Sequence, residues 1–254
     1  MKNSDISIHL TPDLRLEQAI ERAGVKTPAS ITKLTVTGTI TISDFKYIEK
    51  TMRNTLQELD LGNALVKSSK FLGPSNFLSG LISTTIPVAV CHFRKFTNIS
   101  AHTSITAHPD DPLFSTQEGV LFNKNKSKLL GYPSGRKGEC TVPDSVTLIS
   151  ECAFWCCSGL TSVTIPDSVV NIGVMAFAMC SGLTSITIPA SVVNIGEWAF
   201  DRCTGLTSIT IPASVVNIGE SAFDRCSTFV TVHPDNPVYE SVEGEIRRKQ
   251  KSKE

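Results

Sequence analysis

Apolar positions along this chain follow two alternating rhythms. In Leu160-Thr-Ser-Val-Thr-Ile165, Val163 and Ile165 share one face while Thr161 and Thr164 flank them. The Thr, Val and Ile content favours a short strand, and Pro166, with no N–H to continue a ladder, ends it. After Asn171-Ile172-Gly173 the rhythm changes, because Ala176, Phe177 and Cys180 have the i, i+1, i+4 spacing of one face of a helical turn. The pattern predicts a strand, a corner and a short helical turn. Gly173, Gly196 and Gly219 fall at the corner, where a tight or left-handed bend would make a Cβ clash.

This two-part element recurs. Residues 160–182, 183–205 and 206–228 are copies with a period of 23, and the last two differ only at Trp198/Ser221, Thr204/Ser227 and Gly205/Thr228. The segment from Lys137 runs in register with them through Cys140, Val142, Pro143, Ala153, Phe154 and Cys157. Weaker copies begin at Ile31, Leu56 and Leu81, at His102 and near Ser227, which gives about nine coils. One such coil cannot bury its own apolar side. Stacked coils can, each resting on the same residues of the next about 5 Å away. The expected fold is a single α/β solenoid over 1–254, with short parallel strands, short helical turns and a columnar core.

The ends differ from the middle. Leu14, Leu16, Ala19, Ile20 and Ala23 suit an amphipathic helix closed by Gly24, and Asp44 to Met52 suit a second, so 1–62 reads as a helical cap with longer repeats. Irregular repeats follow over 63–107, a hairpin insertion over 108–136, regular 23-residue repeats over 137–228, and an incomplete hairpin with a frayed basic tail over 229–254. The insertion opens with His108-Pro-Asp-Asp-Pro and is read as a hairpin of Val120-Leu-Phe and Lys128-Leu-Leu-Gly-Tyr-Pro133 around Asn123-Lys-Asn-Lys. The C-terminus restarts it as His233-Pro-Asp-Asn-Pro, but Glu245-Ile246-Arg247 replaces Val-Leu-Phe.

The core pattern Leu-x-x-Ile-x-Ile-Pro, Ser-Val-x-x-Ile-Gly and Ala-Phe-x-x-Cys closely resembles the bacterial surface antigen A-like (BspA-like) leucine-rich repeat. Asn236-Pro-Val-Tyr-Glu-Ser-Val-Glu-Gly and Glu118-Gly-Val-Leu-Phe-Asn-Lys are similar to that family's hairpin insert, and the match covers roughly residues 81 to 244. The first 62 residues are similar only to the general leucine-rich pattern. The resemblance implies a right-handed horseshoe or arc, with strands on one face and helical turns on the other. It also implies a bacterial cell-surface or secreted protein that adheres to host matrix proteins or to other microbes. It brings no catalytic residues and no cofactor.

Charge narrows the partners. With 24 Lys+Arg against 24 Asp+Glu the net charge is zero, which argues against nucleic acid or an anionic membrane surface as the main partner. No apolar run approaches the roughly 18 to 20 residues of a membrane span, and Met1 to Leu10 does not read as a leader. A monomer is expected.

Candidate chemistry is weighed against plain packing. Cys157, Cys180, Cys203 and Cys226 recur at one repeat position beside the inward Ala and Phe, so they read as a buried ladder of small side chains. Cys140 reads the same way, and Cys152 and Cys156 lack the paired knuckle spacing of zinc ligands, so no metal is expected. Asp110, Asp111 and Asp235 are turn residues before they are calcium ligands. His108 and His233 belong to the same turn motif.

The most regular exposed feature is a grid of hydroxyls: Thr161, Ser162 and Thr164, then Thr184, Ser185 and Thr187, then Thr207, Ser208 and Thr210. It is the candidate ligand surface of the strand face, with Trp198 as an aromatic that either contacts ligand or packs locally. The function expected is non-enzymatic binding of a protein partner through that face. The alternative is glycan binding by the Thr/Ser grid.

Overall fold

Alternation at Ile6, Ile8 and Leu10, repeated at Leu34 and Val36, sets two strands side by side at the start of the chain. The computed structural model describes residues 4–61, 64–66, 83–86, 104–107, 109–226 and 228–250. They form a β-solenoid of about seven turns with few helices. The contacts divide into two units, Met1–Asn125 with Pro133–Gly135, and Lys126–Tyr132 with Arg136–Glu254. Of the coils expected over 63–107, those starting at Leu81 and His102 have their first residues outside the described ones, as do His108 and the tail from Lys251.

In the first unit, β1 (Asp5–Leu10) leads to α1 (Leu16–Arg22), β2 (Lys33–Ile40), α2 (Ile42–Met52), β3 (Glu58–Asp60), β4 (Ala64–Val66), β5 (Ser83–Ile86) and β6 (Ser104–Ala107). The parallel sheet runs β1-β2-β3-β5-β6, with β4 also on β2. Both expected helices are present, but β1 precedes them; its alternation was visible in the sequence and went unread as a strand. Asp44 is buried and joins the two helices. Its Oδ1 accepts from Leu16 N at 2.9 Å and its Oδ2 from Thr41 N at 2.9 Å and Thr41 Oγ1 at 2.6 Å, which caps α2.

Next come β7 (Phe114–Gln117) and β8 (Val120–Asn123), an antiparallel pair. Their turn is Glu118-Gly119, with φ of 50° and 72°, the left-handed geometry that matches strand twist in a tight hairpin. The expected hairpin was centred on Asn123-Lys-Asn-Lys, and this tighter corner lies just before it.

The second unit holds β9 (Lys128–Gly131), β10 (Gly138–Thr141), β11 (Leu148–Ile149), β12 (Leu160–Thr164), β13 (Asn171–Ile172), β14 (Ser185–Ile186), β15 (Asn194–Ile195), β16 (Ser208–Ile211), β17 (Asn217–Ile218) and β18 (Phe229–Val232). One parallel ladder is β10-β12-β14, and β16-β18 pair likewise; a second runs β9-β11-β13-β15-β17. The second ladder was not expected, because two residues such as Asn171-Ile172 are too short to show alternation.

The third wall corrects the α/β assignment. Short helical turns were expected after each Gly, yet the N–H groups there do not reach back four residues. Ala153 N, Trp155 N and Cys157 N bond to Ser150 O, Cys152 O and Phe154 O, three residues back, while Cys152 N, Phe154 N and Cys156 N bond to Val174 O, Ala176 O and Ala178 O of the next coil. These are tandem β-turns stacked coil on coil. The left-handed residues within them are not glycines but Cys152, Cys156, Met175, Met179, Trp198, Arg202, Ser221 and Arg225, with φ between 50° and 63°. The corner glycines serve close approach instead: a Cβ at Gly196 would stand 2.5 Å from Gly173 C of the coil before.

The core is a set of columns. Tyr132, Phe154, Phe177, Phe200 and Phe223 stack with centroids 5.0, 4.8, 5.2 and 5.2 Å apart. Each such pair adds about 0.5–1.5 kcal/mol beyond area burial. Asn217 Nδ2 donates to Asn194 Oδ1 at 2.7 Å and Asn194 Nδ2 to Asn171 Oδ1 at 2.5 Å, while Ser168, Ser191 and Ser214 each donate to a valine carbonyl of the preceding coil at 2.7–2.8 Å.

The C-terminal element, expected as incomplete, forms an antiparallel pair of β19 (Tyr239–Val242) and β20 (Glu245–Arg248) around Glu243-Gly244. Gly244 O accepts from Val230 N at 3.0 Å, as Gly119 O accepts from Ile105 N at 2.9 Å, so both hairpins dock on the strand before them in one way. The basic tail is held at its start: Lys249 N donates to Val238 O at 2.8 Å and its Nζ to Asn236 O at 2.7 Å.

Candidate functional site

Strand alternation decides which side chains of β12, β14 and β16 face out. Val163, Ile186 and Ile209 are buried. Thr161, Thr164, Thr184, Ser185, Thr187, Thr207, Ser208 and Thr210 are exposed, and Ser162 is half-buried. Ser162 pairs with Ser185 in register, and Thr164 with Thr141. Thr184 Oγ1 donates to Thr161 O at 3.1 Å, tying one row along the column. The surface is therefore a shallow array of donors and acceptors set on a sheet. Next to it, Phe229 pairs in register with Ser208 and is 58% exposed, an aromatic the sequence reading did not place there.

Trp198 is not on that face. Its backbone is part of the turn wall, where its N–H bonds to Glu220 O of the next coil at 3.0 Å. There it lines a groove of about 410 Å³ with Trp155, Met175, Ala178 and Met179. Ala178 occupies the repeat position that carries Trp155 one coil earlier and Asp201 one coil later, so a missing side chain in the column leaves the hollow. The groove went unseen in the sequence because Trp155 and Trp198 stand at different repeat positions. Beside it the charges pair within each coil, Arg202 Nε with Asp201 Oδ2 at 3.7 Å and Arg225 Nε with Asp224 Oδ2 at 3.4 Å.

Of the cysteines expected to be buried, Cys157, Cys180 and Cys203 are, whereas Cys140 and Cys226 are half-buried. Cys180, Cys203 and Cys226 donate through Sγ to Phe154 O, Phe177 O and Phe200 O at 3.0, 3.0 and 2.7 Å. Burial pushes the Cys180 thiol well up, and the neighbouring thiols Cys180 and Cys203 do most to raise Cys203 and Cys226. Cys140 is pushed up by burial to about 11. Thiols held protonated in this way are poor nucleophiles and poor metal ligands. Among the described residues, no group of three or more His, Cys, Asp or Glu could hold a metal ion.

The acidic turn residues have structural partners. Asp111 Oδ1 accepts from Leu113 N and Phe114 N at 2.7 and 2.9 Å, and Asn236 Oδ1 accepts from Val238 N and Tyr239 N at 2.9 and 2.8 Å. They are one turn used twice. Among the described residues, no helix is long and apolar enough to cross a membrane.

Comparison with known proteins agrees with this architecture. The structure is similar to the crystal structure of the pneumococcal vaccine antigen PcpA, with a TM-score of 0.60 and 17% identity over 90% of this chain and 62% of that one. It is also similar to a leucine rich cell surface protein from Faecalibacterium prausnitzii A2-165, with a TM-score of 0.56 and 24% identity over 81% of this chain and 65% of that one. The chain thus spans less than two thirds of either protein. No curated protein matches the sequence. The family described as BspA type leucine rich repeat region matches residues 137–240 in 6 copies. With its ladders in the register that the repeat dictates, the region 137–240 is similar to the BspA type leucine rich repeat region.

Proposed function

We propose that this protein is a non-enzymatic binding scaffold at a bacterial surface or in secreted form, which engages a protein partner, such as host matrix or another microbe's surface, through the strand face. The observation that carries the proposal is the exposure of Thr161, Thr164, Thr184, Thr187, Thr207 and Thr210 in rows along successive coils, on and beside the strands of two parallel ladders, β10-β12-β14 and β16-β18. Every second residue of those strands is fixed in the core, so the outward hydroxyls are presented at constant spacing, as an extended interface requires. The surface assignment draws on the similar proteins, one a vaccine antigen and one a cell surface protein. We also read α1 and α2 as the helical N-terminal cap.

Glycan binding is the second reading, favoured by the hydroxyl grid with Phe229 exposed beside it. Probing arrays of matrix proteins and glycans with the purified chain, in parallel with Thr187→Lys and Thr210→Lys variants, separates the two. Binding to matrix proteins that falls at least about tenfold with either lysine supports the proposal. Binding that both variants retain in full sinks the strand face, and a hit confined to the glycan array transfers the assignment to the second reading.

A further inference from the structure

The groove on the turn wall lies on a different side of each coil from the Thr/Ser grid, and it has its own chemistry. Two indoles, Trp155 and Trp198, and two thioethers, Met175 and Met179, surround the floor at Ala178. Asp201, Asp224 and Arg225 complete the lining; Arg225 pairs with Asp224 at 3.4 Å, which leaves Asp201 as the carboxylate whose partner, Arg202, stands outside the lining. Among the described residues, Asp201 Oδ1 is buried without a hydrogen-bond partner, and its Oδ2 meets Arg202 Nε only at 3.7 Å. A carboxylate oxygen left unpaired is costly, and rotating the side chain toward the groove would give it any donor lodged there.

We propose that this groove receives an arginine side chain of a protein partner. A guanidinium is flat and weakly hydrated, stacks on indole faces, and presents N–H donors in a fork that fits a carboxylate. Its aliphatic stem suits the polarisable thioethers of Met175 and Met179. Lysine shares the charge but is a compact, strongly hydrated ion and fits the aromatic walls less well. A sugar would stack on the indoles without bringing a cation to the Asp201 carboxylate.

Both tryptophans of the chain line the groove, so intrinsic fluorescence reports its occupancy directly. The test titrates the full chain with capped Gly-Arg-Gly, Gly-Lys-Gly and Gly-Leu-Gly peptides and with a methyl glucoside. The arginine peptide should shift the emission saturably, with the lysine peptide at least about threefold weaker and the other two without effect. Trp198→Ser copies Ser221 of the following coil and Ala178→Trp copies Trp155 of the preceding one, so both variants keep residues the fold already accepts. Read by calorimetry, Trp198→Ser and Asp201→Ala should each weaken the arginine peptide at least about fivefold, and Ala178→Trp should abolish binding by filling the floor. The proposal is overturned if the arginine peptide does not bind, if the leucine peptide or the glucoside binds as well as it does, or if all three variants bind it as the parent does.

Discussion

Removing one ring from the aromatic column tests whether that column holds the coils together. Phe177 is fully buried and stacks on Phe154 at 4.8 Å and Phe200 at 5.2 Å, whereas Phe223 is half-buried and stacks on Phe200 alone among these rings. A buried Phe→Ala change costs about 3–5 kcal/mol in lost transfer and cavity energy. Two broken stacks place Phe177→Ala in the upper part of that range, about 5 kcal/mol. Phe223→Ala breaks one stack and removes a ring already partly in water, for about 2 kcal/mol. Phe177→Leu keeps most of the buried area and loses only the ring contacts, again about 2 kcal/mol. Urea unfolding followed by far-UV circular dichroism measures all three. Because each coil touches only its neighbours, Phe177→Ala should also lower the m value, as the column parts at the weakened coil before the rest unfolds. If Phe177→Ala and Phe223→Ala agree within about 0.5 kcal/mol, the reasoning from stacking fails.

Three further outcomes are expected. Gly196→Ala should destabilise by at least about 2 kcal/mol in a thermal melt, because its Cβ would meet Gly173 C and Val174 N at 2.5 Å and backbone cannot yield as a side chain can; a change under about 0.5 kcal/mol would refute the close approach. Asp111→Asn should stabilise by about 1 kcal/mol, since Asp111 Oδ2 is buried without a partner among the described residues, whereas the amide of Asn236 in the matching turn donates to Pro212 O and Val215 O at 2.9 and 2.8 Å; a loss of stability on chemical denaturation contradicts this. The contribution of the thiols to stability should be constant below about pH 8.5 and fall above it. The thiols of Cys140, Cys180, Cys203 and Cys226 have folded values above the ordinary 9.0, so the folded state binds more protons as the pH passes that value, and the benefit is lost as pH rises through about 11 for Cys140. Cys203→Ala should flatten that slope in a pH series of melts, and an unchanged slope would refute the assignment.

The strand half of each coil was legible because alternation of Val163 and Ile165 with Thr164 admits one reading, and the structure buries the first two and exposes the third. The turn half was not. Ala176, Phe177 and Cys180 present the same spacing whether the backbone turns as a helix or as two successive β-turns, and only the destination of the N–H groups separates them. Left-handed φ at Met175 and Trp198 has no signature in those residue types. The hydroxyl grid followed from the repeat, since a repeated exposed position must form a row. The groove depends on departures from the repeat, Ala178 and Trp198 above all, and such departures are what a consensus reading averages away.

The columns also bear on how such a chain changes and misfolds. Coils 183–205 and 206–228 differ at three positions, so either could rest on the coil before them with almost the same side chains in contact. Duplicating or deleting 23 residues would leave each asparagine above an asparagine and each phenylalanine above a phenylalanine, while a gain of 22 or 24 would break every row at once. Length can therefore drift by whole coils at little energetic cost. The same tolerance leaves a folding chain open to skipping one coil, with Trp198 against Ser221 as the one difference on the turn wall that could betray the slip.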